Sequence, residues 1–440
     1  MAKQHVTDLA YGKLHDVWAE LSSDERLQRF KSLPLSEAEE FFRELSTRNQ
    51  LELVSALPEG EQRVWIRLLD PDDAADLVQE APQGDRQRLL QLLDQHTRDD
   101  VAGLLAYAED VAGGLMSPRY ARVRPEMTVS EALTYLRKQA LEQTETVYSI
   151  YVLSPDQKLL GVTSLRKLFS SEPSSPIKDF MRTNVITAGD QADQEELSRL
   201  FAEHDLIAIP VVDDQDRMKG IVTVDDIVDV VEEEATEDIQ KIGGSEALHG
   251  PYLQITLIQM VKKRAGWLTA LFLGEMLTAN AMGYFENEIA RAVVLALFIP
   301  LIISSGGNAG SQASTLVVRA MALGELRLRD WWRVIQREFT TGLMLGSILG
   351  SVGFLRVIIW QFIFKSYGEH YLLIAFTVGV SLVGIVLWGS LAGSFLPFVL
   401  RRVGFDPASA STPFVATLVD VTGLVIYFSV ASLFLRGTLL

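Results

Sequence analysis

The sequence contains no cysteine, and this absence limits what the protein can be. Without cysteine there is no disulfide framework and no thiolate metal site. Histidine is scarce too. The chain has six histidines, and they show no HExxH or other paired-ligand spacing. No nucleophile–base motif or phosphate-cradling loop is present, and the N-terminal residues suggest a polar helix and no signal peptide. We therefore expect a protein that is not an enzyme and whose metal sites, if any, are built from oxygen atoms.

Charge is distributed unevenly along the chain. Residues 1–263 hold 48 acidic and 28 basic side chains, a net charge of −20. Residues 264–440 hold only nine acidic and twelve basic side chains in largely apolar sequence. A chain of 440 residues has room for two or three domains. The pattern predicts an acidic soluble part followed by a membrane domain, with no nucleic acid as a partner.

Five apolar stretches in the C-terminal part are long enough to cross a bilayer, because a spanning helix needs about 20 apolar residues. They lie near residues 265–285, 292–318, 339–363, 371–400 and 410–435. Basic residues precede the first stretch and fill the second-to-third and fourth-to-fifth connections. By the positive-inside rule, we expect a protein of the cell (inner) membrane whose acidic part lies in the cytoplasm and whose C-terminus lies outside.

A single acid interrupts the last of these stretches. Placing Asp420 near the middle of a spanning helix costs about 3 kcal/mol, so such residues usually face a bundle interior or an ion path. Thr412 and Ala416 share its helical face at four-residue steps. Pro413 is expected to leave a turn of backbone carbonyl groups unpaired. The pattern predicts a cation path at Asp420.

The second stretch is too rich in small and polar residues for a helix that faces lipid. Pro300 and the pair Gly306–Gly307 are expected to weaken the helical hydrogen bonds and to free carbonyl groups. Asn308 adds an amide oxygen, and such oxygens suit a hard cation. Close helix packing through small residues is the alternative explanation of the glycines.

Two further charges lie within the predicted spans. Glu275, in the first, is either a second pore acid or, in the interpretation we favour, a residue at a packing hydrogen bond or at the interface. Arg356 splits the third and is expected to extend toward the outer interface.

The soluble part contains an internal duplication between about residues 110 and 238. Residues 149–168 and 208–227 repeat one pattern, and each copy predicts the order helix, strand, turn, strand, helix. Order, spacing and repeat resemble a tandem pair of CBS domains, which are regulatory sensors that commonly bind adenine nucleotides. The resemblance implies a nucleotide site at Thr223 in the second copy, whereas Lys167 replaces the expected acid in the first. ATP is accordingly a candidate ligand of the second copy alone.

The first 110 residues are rich in leucine and predict helices. Leu33–Pro34, Leu57–Pro58 and Ala81–Pro82 recur every 24 residues, and proline suits the first turn of a helix. This spacing predicts paired short helices stacked as a small solenoid. Ordinary helix starts in a bundle are the alternative.

A run of acids links the duplication to the membrane part. In a helix, Asp226, Asp229, Glu233 and Glu237 share a face at three- and four-residue steps. Carboxylate clusters without histidine or cysteine suit magnesium or calcium. A solvated acidic face is the alternative explanation.

Over essentially its whole length the chain resembles the MgtE magnesium channels and transporters. The resemblance rests on residues 112–116, 234–239, 306–312 and 416–423. It implies a multi-domain fold: an all-α helical-repeat N-domain, an α/β tandem CBS pair and a polytopic α-helical membrane domain with five spans. The implied domains are residues 1–110 (N-domain), 111–175 and 176–238 (CBS pair), 239–263 (linking or plug helix) and 264–440 (pore domain).

The resemblance also implies a function and its residues. It implies a homodimer with one magnesium pore on the two-fold axis, in which Asp420 holds the ion, Ala416 offers a carbonyl group, and Thr412 and Ser311 line the path. Intracellular magnesium is expected to close the pore. The implied regulatory ligands are Asp72, Asp76, Gly114, Ala202, Asp205, Asp226, Asp229, Glu234, Glu237 and Asp238. The alternative function is a CBS-regulated transporter of another divalent cation, such as cobalt or manganese, or of a small organic solute.

Overall fold

The computed structural model describes residues 14–15, 17–140, 146–248, 252–253 and 255–439. The chain consists of two compact units, Met1–Val231 and Glu232–Leu440. One buried apolar cluster between Leu14 and Ile227 forms a core of the first unit, and another between Ala292 and Leu435 forms a core of the second. Each unit therefore buries apolar surface of its own.

After a 3-10 helix at Trp18–Glu20, seven short helices of the described chain follow one another from Ser23 to Leu104. They are α1 (Ser23–Ser32), α2 (Leu35–Glu44), α3 (Thr47–Ala56), α4 (Glu59–Ile66), α5 (Pro71–Glu80), α6 (Gln83–Leu92) and α7 (Gln95–Leu104). Pro34, Pro58 and Pro82 cap the N-termini of α2, α4 and α6. Alternate helices pack on one another: α1 on α3, α3 on α5, and α5 on α7. This arrangement confirms the helical repeat.

Two similar three-stranded sheets follow. The elements are α8 (Ala112–Leu115), β1 (Tyr120–Val123), α9 (Val129–Ala140), β2 (Thr146–Leu153), β3 (Leu159–Ser164), α10 (Leu165–Ser170), β4 (Ala188–Gly189), α11 (Gln194–His204), β5 (Ala208–Val212) and β6 (Met218–Thr223). In each sheet the first two strands are parallel and the last two antiparallel. The duplication thus appears as two equivalent sheets.

Each half of the pair receives the opening segment of the other. Ser117 exchanges backbone hydrogen bonds with Ile221 of β6, and Arg182 does so with Val162 of β3. A Cβ atom on Gly220 would lie 2.6 Å from the carbonyl oxygen of Ser117. Gly220 therefore serves the backbone contact between the halves.

The linking helix differs from the prediction. Helix α12 spans Val224–Ile242, and the next helix, α13, spans Leu257–Tyr284. The prediction of one helix over 239–263 is wrong, because the chain turns at Gly243–Gly244, where Gly244 has a φ of +78°. That backbone conformation suits glycine and ends the helix.

The remaining helices form the second unit with α13. They are α14 (Glu286–Arg291), α15 (Val293–Ala296), α16 (Ile299–Ala322), α17 (Trp331–Phe364), α18 (Tyr371–Val403) and α19 (Thr412–Leu435). Within the described ranges, four segments are long and apolar enough to cross a membrane: Val293–Ala322, Leu328–Phe364, Tyr371–Val403 and Thr412–Leu435. They correspond to four of the five predicted spans. The remaining predicted span, near residues 265–285, lies in helix α13, which is not among the four. The count of five spans therefore stays a prediction.

Arg356 does not break the third predicted span, since α17 is one continuous helix. Its Nη1 atom donates a hydrogen bond of 3.1 Å to the hydroxyl of Tyr367. Its guanidinium group lies 4.1 Å from the ring centre of Trp360. These two aromatic partners hold the charge about two turns before the end of the helix.

Candidate cation path and acidic clusters

Helix α19 presents the predicted acid face. Ser411 caps the helix by accepting a hydrogen bond from the backbone N–H of Phe414. Thr412, Ala416 and Asp420 follow at four-residue steps, and all three are half-buried. Pro413 lies in the first helical turn, so the expectation that it frees a turn of carbonyl groups is wrong: an N–H there would lack a helical partner in any case.

Helix α16 is likewise continuous, which corrects the interpretation of its glycines. Pro300 occupies the first turn, and the helix runs through Gly306 and Gly310 without interruption. A Cβ atom on Gly389 of α18 would overlap the carbonyl oxygen of Gly306, and one on Gly393 would overlap that of Gly310. These glycines allow α16 and α18 to pack backbone to backbone. The alternative explanation of close packing was therefore the right one.

Gly307 has a different neighbour, because it faces α19. An ideal Cβ atom there would lie 3.4 Å from the Cβ atom of Ala416 and 3.9 Å from Oδ1 of Asp420. Ser311, one turn later, is buried and donates a hydrogen bond of 3.2 Å to the carbonyl oxygen of Thr412. Ser311 thus joins the two helices in this chain, and the structure brings it to Thr412 as a packing contact.

A polar face of α16 remains exposed in the single chain. Asn308 lies on this face, and its Nδ2 atom is 3.4 Å from the hydroxyl of Ser304. Gln312 and Thr315 are exposed as well and extend the same polar surface toward the end of the helix. Sequence reasoning selected Asn308 but did not select Ser304 or Thr315 as site residues. Their spacing along the helix was the available signal.

The first unit brings Asp73 and Asp226 together. Loss of hydration, followed by the negative charges of Asp226, Asp70 and Asp225, raises the pKa of Asp73 to about 7. Part of Asp73 stays exposed on α5 although its carboxyl group has lost hydration, so water screens part of this repulsion. Sequence reasoning chose Asp72 and missed Asp73, although the two are adjacent.

Asp226 also shapes the start of α12. It accepts hydrogen bonds from the backbone N–H and the hydroxyl of Thr223, at 3.2 and 2.6 Å. Loss of hydration raises the pKa of Asp226 to about 6, although the hydrogen bonds from Thr223 lower it. The negative charges of Asp225 and Asp229 add to the rise. Thr223 is buried and engaged with Asp226, so its role as a nucleotide contact remains a prediction.

The other predicted regulatory residues of this unit lie apart along the chain. Asp72 is buried on α5, whereas Asp76 is exposed. Gly114 is buried in α8, where a Cβ atom would overlap the carbonyl oxygen of Ala108. Ala202 and Asp205 lie at the exposed end of α11, and Asp205 caps it with a φ of +50°.

In the second unit, Lys241 links α12 to the turn that precedes α19. Its Nζ atom forms ion pairs with Glu237 and, at 2.7 Å, with Asp406. Burial opposes the charged form of Lys241, but the bonds to Asp406 and Glu237 outweigh it and raise its pKa. Loss of hydration and the charges of Asp406 and Glu234 raise the pKa of Asp238 to about 6. Asp406 and Lys241 were absent from the predicted site.

These acids do not converge on one point. Within the described part of the chain, no group of three or more histidine, aspartate or glutamate side chains is arranged to hold a metal ion. The predicted regulatory ligands therefore stay a prediction.

Comparison with known proteins finds a match in each of the three parts of the chain. A family model described as the MgtE intracellular N domain matches residues 9–110, CBS domain models match residues 108–172 and 177–233, and a model described as a divalent cation transporter matches residues 299–430. A magnesium transporter MgtE of Thermus thermophilus is 43% identical over 341 residues, which cover 78% of this chain and 74% of that protein. The chain belongs to the MgtE family.

The MgtE of Bacillus subtilis is 35% identical over 336 residues, covering 76% of this chain and 72% of that protein. A crystal structure of the cytosolic domain of the Mg²⁺ channel MgtE in complex with ATP is 40% identical, with a TM-score of 0.47, and covers 51% of this chain and 92% of that one. MgtE proteins are transporters and not enzymes, as expected for this chain.

Proposed function

We propose that this MgtE protein is a magnesium-selective channel or transporter that mediates Mg²⁺ uptake. Its relatives in Thermus thermophilus and Bacillus subtilis are magnesium transporters. The observation that carries the proposal for this chain is the position of Asp420, which lies with Ala416 against Gly307 within a largely apolar spanning helix. A carboxylate retained there needs a cation or water.

The ion at Asp420 is expected to be largely hydrated. Magnesium dehydrates reluctantly and usually keeps several waters. Such a complex suits the exposed amide groups of Asn308 and Gln312 on α16 and the small, half-buried side chain of Ala416, one turn before Asp420. Selectivity would then depend on the width of the path around the hydrated ion.

The exposed polar face of α16 supports a homodimer. Asn308, Gln312 and Thr315 would be costly against lipid, because bilayer hydrocarbon offers no hydrogen-bond partner. A second copy related by a two-fold axis would enclose this face and the two Asp420 side chains in one pore. The acidic part would lie in the cytoplasm of the cell (inner) membrane and the C-terminus outside, as the basic connections indicate.

Cytoplasmic Mg²⁺ is the proposed closing ligand. The clusters at Asp73–Asp226 and at Asp238–Asp406 hold acids close together, and loss of hydration and nearby negative charges raise the pKa values of Asp73, Asp226 and Asp238. Divalent ions that neutralise them would stabilise the compact, closed state, and loss of Mg²⁺ would release it. Other divalent cations remain an alternative substrate class, since the matching family model is described by divalent cation transport.

The first test replaces Asp420 with alanine. In proteoliposomes with a magnesium-sensitive dye inside, we expect Mg²⁺ influx to fall at least about tenfold. Such a fall corresponds to a loss of about 1.4 kcal/mol or more of binding free energy when the carboxylate is removed. Glu338→Ala on α17 serves as the matched control, because it removes an acid from another spanning helix. Normal influx through folded Asp420→Ala protein would contradict the proposed site, and influx of calcium, cobalt and manganese tests selectivity.

A further inference from the structure

Helix α13 runs alongside α19 in the same direction and at the same level. A Cβ atom on Gly274 would lie 3.0 Å from Cγ2 of Thr417. Farther along, the ring of Phe285 stacks on that of Phe428 at 4.8 Å and an interplanar angle of 18°. The same number of residues separates the two contacts on each helix. The register between them is therefore fixed.

This register places a second acid at the level of the pore acid. Glu275 directly follows Gly274, and Asp420 lies one turn beyond Thr417, so the two carboxyl groups belong to the same level of the bundle. Consistent with that placement, the two carboxyl groups lie within electrostatic range of each other. The acid on α13 is thus a neighbour of the acid on α19.

The surroundings of Glu275 do not explain its presence as packing. Its side chain is exposed, and so are the apolar residues Leu273, Met276 and Leu277 around it. Throughout the ranges that the structure describes, Glu275 accepts no hydrogen bond and forms no ion pair, so the single chain does not show the packing hydrogen bond that was one of the two favoured explanations. An acid in such apolar surroundings is costly unless it meets water or a cation.

We propose that Glu275 is a specificity-determining residue that strengthens divalent-cation binding at Asp420 through its charge. A carboxylate near the ion attracts a divalent cation about twice as strongly as a monovalent one at the same distance. Glu275 would thus raise the occupancy of the site by Mg²⁺ relative to K⁺ or Na⁺, while Asp420 supplies the direct or water-mediated contact. This inference rests on the proposed role of Asp420.

The test compares Glu275→Gln with the wild-type chain in proteoliposomes. The substitution keeps the shape of the side chain and removes its charge. We expect the Mg²⁺ concentration for half-maximal influx to rise about threefold or more, with maximal influx changed by less than about twofold, since charge acts on binding at the site. Permeation of K⁺ relative to Mg²⁺ should increase in parallel.

Two variants separate charge from structure. Glu275→Asp keeps the charge and should retain the half-saturating concentration of the wild type, whereas Glu338→Gln removes an acid from α17 and should leave it unchanged. An unchanged half-saturating concentration in Glu275→Gln would overturn the inference. So would a loss of maximal influx alone, or an equal defect in Glu275→Asp, because each indicates a structural role.

Asp420→Ala, measured in the same vesicles, separates the proposed pore site at Asp420 from the proposed role of Glu275. If Asp420→Ala loses influx while Glu275→Gln behaves as wild type, the inference on Glu275 fails and the pore site stands. If Asp420→Ala transports normally, the proposed site fails and the inference fails with it.

Discussion

Individual carboxyl groups carry the sensing properties proposed for the cytoplasmic part. Asp73 and Asp226 are held near each other on different elements of the first unit, α5 and α12, and each has a raised pKa. In the part of the chain that the structure describes, neither acid belongs to an ion pair, whereas Asp406 pairs with Lys241 at 2.7 Å. A bound divalent cation would remove the repulsion between them.

This arrangement predicts a dependence of stability on pH. Because the pKa values of Asp73 and Asp226 are raised to about 7 and about 6, the folded state binds their protons more tightly than the unfolded state. Their contribution to stability is therefore fully present below about pH 4 and is lost as pH rises through 6 and 7. In Mg²⁺-free buffer, the midpoint of thermal unfolding of the soluble part should fall over this range.

Asp73→Asn should flatten that dependence, whereas Asp99→Asn, at an exposed position on α7, should not change it. Circular dichroism melts between pH 5 and pH 8 provide the measurement. Adding millimolar Mg²⁺ at pH 8 should restore part of the lost stability in the wild type. A wild-type midpoint that rises steadily with pH would contradict the assignment.

At the scale of elements, glycines determine how the spanning helices pack. Gly306 and Gly310 of α16 meet Gly389 and Gly393 of α18, so that carbonyl oxygens of one helix touch the backbone of the other. In a bilayer such close approach supplies packing energy that apolar burial cannot, because lipid is as apolar as the helix surface. This pairing holds α16 so that Gly307 faces α19.

Helix α18 contains its own matched pair of test positions. Gly393→Ala would place a methyl group on the carbonyl oxygen of Gly310, whereas Gly384→Ala would meet only Cγ2 of Ile426, at 3.5 Å. Overpacking of this kind costs about 1–3 kcal/mol. Gly393→Ala should lower the thermal midpoint of the detergent-solubilised chain by several degrees, and Gly384→Ala should leave it nearly unchanged. Equal midpoints would show that α16 and α18 are not packed so closely.

At the scale of the whole molecule, charge divides the chain into an acidic soluble part and a membrane part with few charges. A net charge of −20 on residues 1–263 opposes compaction unless cations neutralise it. Several weak Mg²⁺ sites acting together would suit the proposed sensing of millimolar Mg²⁺. Each site shifts the equilibrium only by its difference in Mg²⁺ affinity between the open and closed states.

Neutralising three acids together tests this gating mechanism. The triple variant Asp226→Asn, Asp229→Asn, Glu237→Gln should stay open at millimolar internal Mg²⁺, because the ligands for closure are gone. The control removes the same charge from exposed residues of the helical repeat, with Glu40→Gln, Glu59→Gln and Glu80→Gln. Patch recordings at varied internal Mg²⁺ supply the measurement, and unchanged inhibition of the first variant would exclude these acids as closing ligands.

The local features of this protein were determined by its sequence alone. Proline at fixed intervals sets the starts of the repeat helices, because its φ angle and missing N–H favour that position. The duplicated strand pattern predicts two equivalent sheets, and long apolar runs predict the spanning helices. Asp420 was recognisable because one acid in an apolar run is costly.

Only the tertiary structure decided which distant residues meet. It assigned the glycines of α16 to helix packing, engaged Ser311 with the carbonyl group of Thr412, and placed Asp73 next to Asp226. It also brought Lys241 to Asp406 and Glu275 to the level of Asp420. Sequence spacing fixes which residues share a face of one helix, whereas contacts between helices depend on how those faces pack in three dimensions.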